Sequence, residues 1–143
     1  MIRAIAAIFV GLATAMFVMT ALGQLRNSVY PFTEGLDMKD AAAMAQYLAT
    51  VPIGYHLLSL GSYCLAAFLG GLGACSMSKE NPLFFTFVVG GAVLMLVSKA
   101  LRATEYPSWF NVASVVGILV AMVLSVVIAK RLGFDNPSQA PAA

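Results

Sequence analysis

LRNSVYP, residues 25–31, returns as LRATEYP, residues 101–107, and what flanks the two copies decides the fold. Leu25 corresponds to Leu101, Arg26 to Arg102, Tyr30 to Tyr106 and Pro31 to Pro107, and in the same register Met19 falls on Met95. Each copy follows a long uncharged apolar run and precedes another. The pattern predicts an all-α integral membrane protein of four transmembrane helices, built as two duplicated hairpins with a short surface helix in the first extracytoplasmic loop. Two hairpins entering from one side would be a parallel repeat about an axis along the membrane normal. Chance similarity competes with duplication, because Leu, Arg and Tyr are common at the ends of membrane helices.

Of the 143 residues, 61% are hydrophobic and only 10% charged, and the mean hydropathy is +0.90. One domain is expected by length. A water-soluble domain of this size leaves a large share of its atoms in solvent and has no place for so much apolar surface, whereas a bilayer does. The net charge of +2 is small and scattered, which excludes a nucleic-acid partner, since that needs clustered Lys and Arg. Cys64 and Cys75 share one apolar run; about 16 Å apart along a helix axis, they exceed the reach of a disulfide and are expected to be packing residues. Arg3, an apolar run and the Ala21-Leu22-Gly23 ending look like a secretory signal. The uncharged run from Ala4 to Leu25 is longer than a signal's apolar region, so a retained spanning helix is expected.

No Asp, Glu, Lys or Arg occurs from Ala4 to Leu25, Ala41 to Ser78, Asn81 to Ser98 or Tyr106 to Ala129. A crossing needs about 20 apolar residues. The predicted spans are therefore 4–23, 52–77, 83–101 and 110–129, within a domain of residues 1–132, followed by a disordered Pro-, Ser- and Ala-rich tail over 133–143. Pro31 and Gly35 break the chain after the first span. Asp37 with Asp40 three residues on suggests an N-cap for a surface helix over 38–49, with Met38, Ala41, Ala45 and Leu48 on its packing face. Pro52 suits the start of the second crossing, and Ser78–Pro82 forms a polar turn.

Lipid gives helices no hydrophobic reason to associate, so close approach at small residues must hold them. Ala113, Gly117, Ala121, Ser125 and Ala129 make a ridge at spacing four in the last span. Ala66, Gly70, Ala74 and Ala67, Gly71, Cys75 make two more in the second, and Ala7, Gly11, Ala15 one in the first. These faces meet either within one bundle or between subunits.

Chemistry is sparse by comparison. No ionisable residue lies mid-span where a pump or exporter would carry one. A single histidine excludes bis-histidine haem, no Cys-x-x-Cys is present, and no His and carboxylate cluster offers a metal site, so neither cofactor nor metal is expected. His56 has only Ser59 or Ser62 as partners for nucleophilic chemistry, with no third orienting group, and no catalytic residue is assigned. What does collect is aromatic. Arg26, Tyr30, His56, Arg102, Tyr106, Trp109 and Phe110 fall on one side of the membrane under the four-span topology. Such a set is either an interfacial aromatic belt with snorkelling cations or a contact surface for a protein partner, a lipid or a quinone headgroup.

YPFTEGLD followed by MKDAAAM, a proline-started glycine-rich second span, and EYPSWF ahead of the last span resemble a group of small bacterial four-helix membrane proteins. Its features are a Tyr-Pro, Gly-x-Asp loop and a Pro-x-Trp-Phe lead-in to helix four. The likeness covers about Gly11 to Gly117 and implies the fold and the bacterial inner membrane, without an activity. The expected role is a non-catalytic accessory or scaffold subunit of a larger membrane complex, touching membrane lipid and other subunits or copies of itself. The alternatives are a small oligomeric transporter or channel and a lipid- or quinone-handling enzyme.

Cations tie across the membrane: Arg3, Lys79, Lys130 and Arg131 on one side, Arg26, Lys39, Lys99 and Arg102 on the other. Glu34, Asp37, Asp40 and Glu105 all fall on the second side and tip the expectation toward cytoplasmic termini, although acids contribute little to orientation. Single cysteines introduced between residues 33 and 39 should react with an impermeant maleimide added outside intact cells. Labelling only after lysis would reverse the orientation.

Overall fold

Prolines punctuate the chain, and helices form between them. A computed structural model describes residues 2–77 and 81–133. Its helices are α1 (Ile2–Val29), α2 (Ala41–Thr50), α3 (Ile53–Met77), α4 (Pro82–Ala103) and α5 (Ser108–Arg131), with no strand among the described residues. Val29 and Tyr30 close α1 ahead of Pro31, as expected where a proline ring crowds the preceding residue out of the helical region. Val51, extended before Pro52, separates α2 from α3. Pro82 occupies the first turn of α4, where its missing N–H costs nothing, and Pro107 is the N-cap of α5. The Ser78–Lys79–Glu80 part of the predicted turn and the predicted disordered tail beyond Gly133 lie outside the described residues.

Four of these helices, all but α2, are long and apolar enough to cross a membrane, the build of a multi-pass membrane protein. Each lies close to its predicted span, but α1 runs to Val29 rather than stopping near Gly23. Its 28 residues extend about 42 Å, more than the hydrocarbon layer. Arg26, expected at the end of the helix, lies within its last turn. The extension is held from outside, by a hydrogen bond from Arg26 Nη1 to Ser59 Oγ of α3 at 3.0 Å.

The surface helix also starts later than its sequence suggests. Asp40, not Asp37, is the N-cap, its carboxylate accepting from Ala42 N–H at 3.0 Å. Asp37 instead accepts from Lys39 N–H at 2.9 Å and closes the preceding turn, which follows Gly35 at φ 86°. Met38 thus precedes the helix and is 59% exposed, and Ala41 is exposed too. Leu48, 2% exposed, anchors α2 against the end of the bundle.

α3 is the central helix, packed on α1, α4 and α5, with the α1 contact the most extensive. Its two predicted small-residue ridges face two neighbours. Gly70 lies against Gly11 and Ala15 of α1 so tightly that a Cβ at residue 70 would stand 2.9 Å from both the Gly11 carbonyl oxygen and Ala15 Cβ. On the other side Gly71 faces Ser125 Oγ and Gly117 faces Cys64 Sγ, which seats α5 on α3. Ala7, Ala15, Ala67, Ala121 and Ala129 are buried along these seams, while Ala113 and Gly117 at the outer end are half-buried. The ridges therefore meet inside one bundle. Polar groups within the spans turn inward: Ser59, Ser62 and Ser125 donate to carbonyls three or four residues back, and Cys75 Sγ meets Thr86 Oγ1 of α4 at 3.0 Å.

Gly70→Leu should separate α1 from α3 and cost about 1–3 kcal/mol, the range for overpacking a filled interior. Gly91→Ala, where nothing lies within 4 Å of the new methyl, should leave stability unchanged. Thermal unfolding in detergent followed by circular dichroism distinguishes the two.

Candidate functional site at the aromatic end

Tyr55 and His56 lie in the first turn of α3, immediately after Pro52, and the last turn of α1 passes beside them. Two loops end at the same level, each carrying a Tyr-Pro: Tyr30 after α1, and Tyr106 between α4 and α5. The result is a chain of rings. Phe32 meets Tyr47 of α2 at 5.6 Å between centroids, Tyr47 meets Tyr55 at 6.2 Å, and Tyr30 meets Tyr55 edge-on at 6.2 Å. Only residue 54 being glycine lets Tyr30 lie there, since its hydroxyl fills the space a Cβ would take.

His56 is the hub. It is 4% exposed and has Tyr55 at 5.8 Å, Tyr106 at 6.3 Å, Trp109 at 5.8 Å and Phe110 at 5.5 Å. Phe110 is buried, stacked on Tyr106 at 4.9 Å and edge-on to Tyr63 at 6.4 Å. The His56 ring hydrogen-bonds the Pro52 carbonyl one turn back, while Nε2 has no partner among the described residues. Two further buried polar atoms without a partner, Asn111 Oδ1 and Ser114 Oγ, lie in the first two turns of α5 at the same end. Buried polar atoms are nearly always paired, so these three, at one end of the bundle though not in one cluster, set that end apart from the rest.

Arg26 supplies the charge. Its guanidinium lies 4.7 Å from the Tyr55 ring centre, donates to Ser59 and contacts Asn27 Oδ1 at 3.3 and 3.4 Å. It forms no ion pair among the described residues. Ser59 Oγ in turn donates to the Tyr55 carbonyl, and Ser62 Oγ to the Ser59 carbonyl. Neither serine bonds His56, so no nucleophile and base pair is assembled. The described residues also contain no group of three metal-ligating side chains.

Arg26, Tyr30, His56, Tyr106, Trp109 and Phe110 are thus brought together as one cluster. Arg102 is not among them. It is exposed, and lines a separate hollow of about 260 Å³ with Ser98, Leu101, Asn111 and Val115. Tyr63 and Ser59 join the cluster through tertiary contact. Their spacing from Tyr55, two turns along α3 for Tyr63 and one for Ser59, was the available signal, but an apolar run gives no indication of which face turns toward Arg26. No family model matches the chain, and no solved structure matches it.

Burial pushes the Tyr106 phenol well above its ordinary 10.0; nearby Tyr63 and Tyr55 act in the same direction, Arg26 opposes them, and a hydrogen bond with Tyr63 adds to the rise. Folding therefore favours the neutral phenol. The associated stability is full below the unfolded pKa of about 10 and is lost as pH rises beyond it. Melting temperatures in detergent should fall above about pH 10, and less steeply in Tyr106→Phe. Equal slopes for the two proteins would show that Tyr106 ionises freely.

Proposed function

We infer that the chain is a non-catalytic accessory subunit of a larger membrane assembly, and that it docks through its aromatic end. The observation that carries this is Trp109. It is 46% exposed, yet it is seated on buried His56 and Phe110 at 5.8 Å each. A belt tryptophan needs only lipid around it, whereas a large ring fixed on a rigid base and open on its other face has the build of an interface anchor. The small-residue ridges are occupied within the bundle, which leaves the aromatic end as the surface for recognition.

The two hairpins are read as copies of one ancestral unit. Arg26 and Arg102 both lie in the last turn of a span, and Tyr30 and Tyr106 each pack onto an aromatic residue in the first turn of the next, Tyr55 and Phe110. The inner membrane of a bacterium, with both termini cytoplasmic, is the proposed location. A second role, handling a lipid or quinone at the same end, is favoured by His56 Nε2, Asn111 Oδ1 and Ser114 Oγ, which have no partner among the described residues.

Trp109→Ala should release stoichiometric partner subunits from the gently solubilised complex, weakening the contact about thirtyfold if Trp109 is a hot spot, while the melting temperature of the isolated chain stays unchanged. Native gels and mass spectrometry of the complex provide the readout. Unaltered partner stoichiometry would leave Trp109 an ordinary belt residue.

A further inference from the structure

A trough of about 440 Å³ lies where α1 meets α3, lined by Leu22, Gly54, Leu57, Leu58, Gly61, Ser62 and Leu65. Gly61 is its open floor, with nothing within 4 Å of where a Cβ would stand. From Gly54 to Leu65 the trough follows α3 for about 16 Å, roughly half the hydrocarbon thickness and so one leaflet deep. Its lining is almost wholly apolar.

The head of the trough is different. Tyr30 places its hydroxyl against Gly54, and Arg26 stands one turn beyond Leu22 on α1, about 6 Å further along the axis. Arg26 is half-buried, and among the described residues its contacts are neutral: Ser59 Oγ, Asn27 Oδ1 and the Tyr55 ring. A cation held at headgroup level without a carboxylate calls for an anion from outside the chain, because charge-assisted bonds to phosphate are the strong ones a guanidinium makes.

We propose that this groove is a site for one anionic phospholipid, with an acyl chain in the trough and the phosphate on Arg26, assisted by the Tyr30 hydroxyl. Two features select this occupant. The groove is one leaflet deep and faces the lipid phase, with Leu57 and Leu65 exposed along it; its own lining is uncharged, and the cation one turn beyond its α1 wall, Arg26, stands at the headgroup end. The site shares Arg26 and Tyr30 with the aromatic cluster but does not use Trp109, and it does not rest on the docking role. A Trp109→Ala chain that keeps its partners would leave lipid binding untouched.

The test is native mass spectrometry of the delipidated full-length protein in detergent, titrated separately with phosphatidylglycerol and phosphatidylcholine. The wild type should bind phosphatidylglycerol about tenfold more tightly than phosphatidylcholine, the worth of one charge-assisted contact. Arg26→Gln should abolish that preference and Arg26→Lys restore part of it. Gly61→Leu, which fills open space and should fold normally, should weaken both lipids, while Arg102→Gln should change neither. Equal affinity of the wild type for the two lipids would overturn the proposal, as would unchanged binding in Gly61→Leu. A dimer that cross-links through Gly61→Cys would do so as well, since the trough would then hold a second chain.

Discussion

The bundle depends on the approach of two backbones, α1 and α3, at Gly11 and Gly70. In water, burial of Leu and Val would bring helices together; in lipid that incentive is missing, because the surroundings are as apolar as the side chains. What remains is dispersion over a large contact area and inward-turned polar groups, and both require the helices to come very close. Gly70 against Gly11 and Ala15 achieves this on one side of α3, and Gly71 against Ser125 on the other. α3 is consequently the helix that all other crossings touch.

Close packing also explains where the polar chemistry sits. With the middle of α3 committed to glycine, alanine and cysteine, large side chains are displaced toward its first turns, where Tyr55, His56, Ser59 and Tyr63 spread between α1 and α5. Arg26 can then lie over Tyr55 and bond Ser59, because α1 has already been brought within reach of α3 three turns deeper. The aromatic end and the packing seam are thus linked: without the seam, Arg26 would be an ordinary snorkelling cation. The contrast with Arg102 is instructive. It holds the same place in the repeated motif, yet α4 and α5 pack less extensively than α1 and α3, and Arg102 is left at the surface.

Much of this was legible from the letters. The four spans follow from uninterrupted apolar length, and the ridges Ala7, Gly11, Ala15 and Ala113 to Ala129 from small residues at spacing four, because both depend only on composition and helical period. The errors came where local signals competed. Asp37 and Asp40 are equally good caps by type, and only the turn after Gly35 decides that Asp40 opens the helix. The first span was set to close near residue 23 by apolar length, whereas the helix itself continues to Val29, and Arg26 bonds Ser59 from its last turn.

By itself, then, the sequence determined that the chain is helical, that four of its segments suit a bilayer, and which residues are small enough for helices to meet. Those properties are set by side-chain size and polarity along a single helix. The tertiary structure alone decided which ridge faces which neighbour, that His56 is enclosed by four rings, and that Arg26 rather than Arg102 joins them. Rotation about a helix axis is free in an apolar run with weak amphipathicity, and only contact with another helix fixes it.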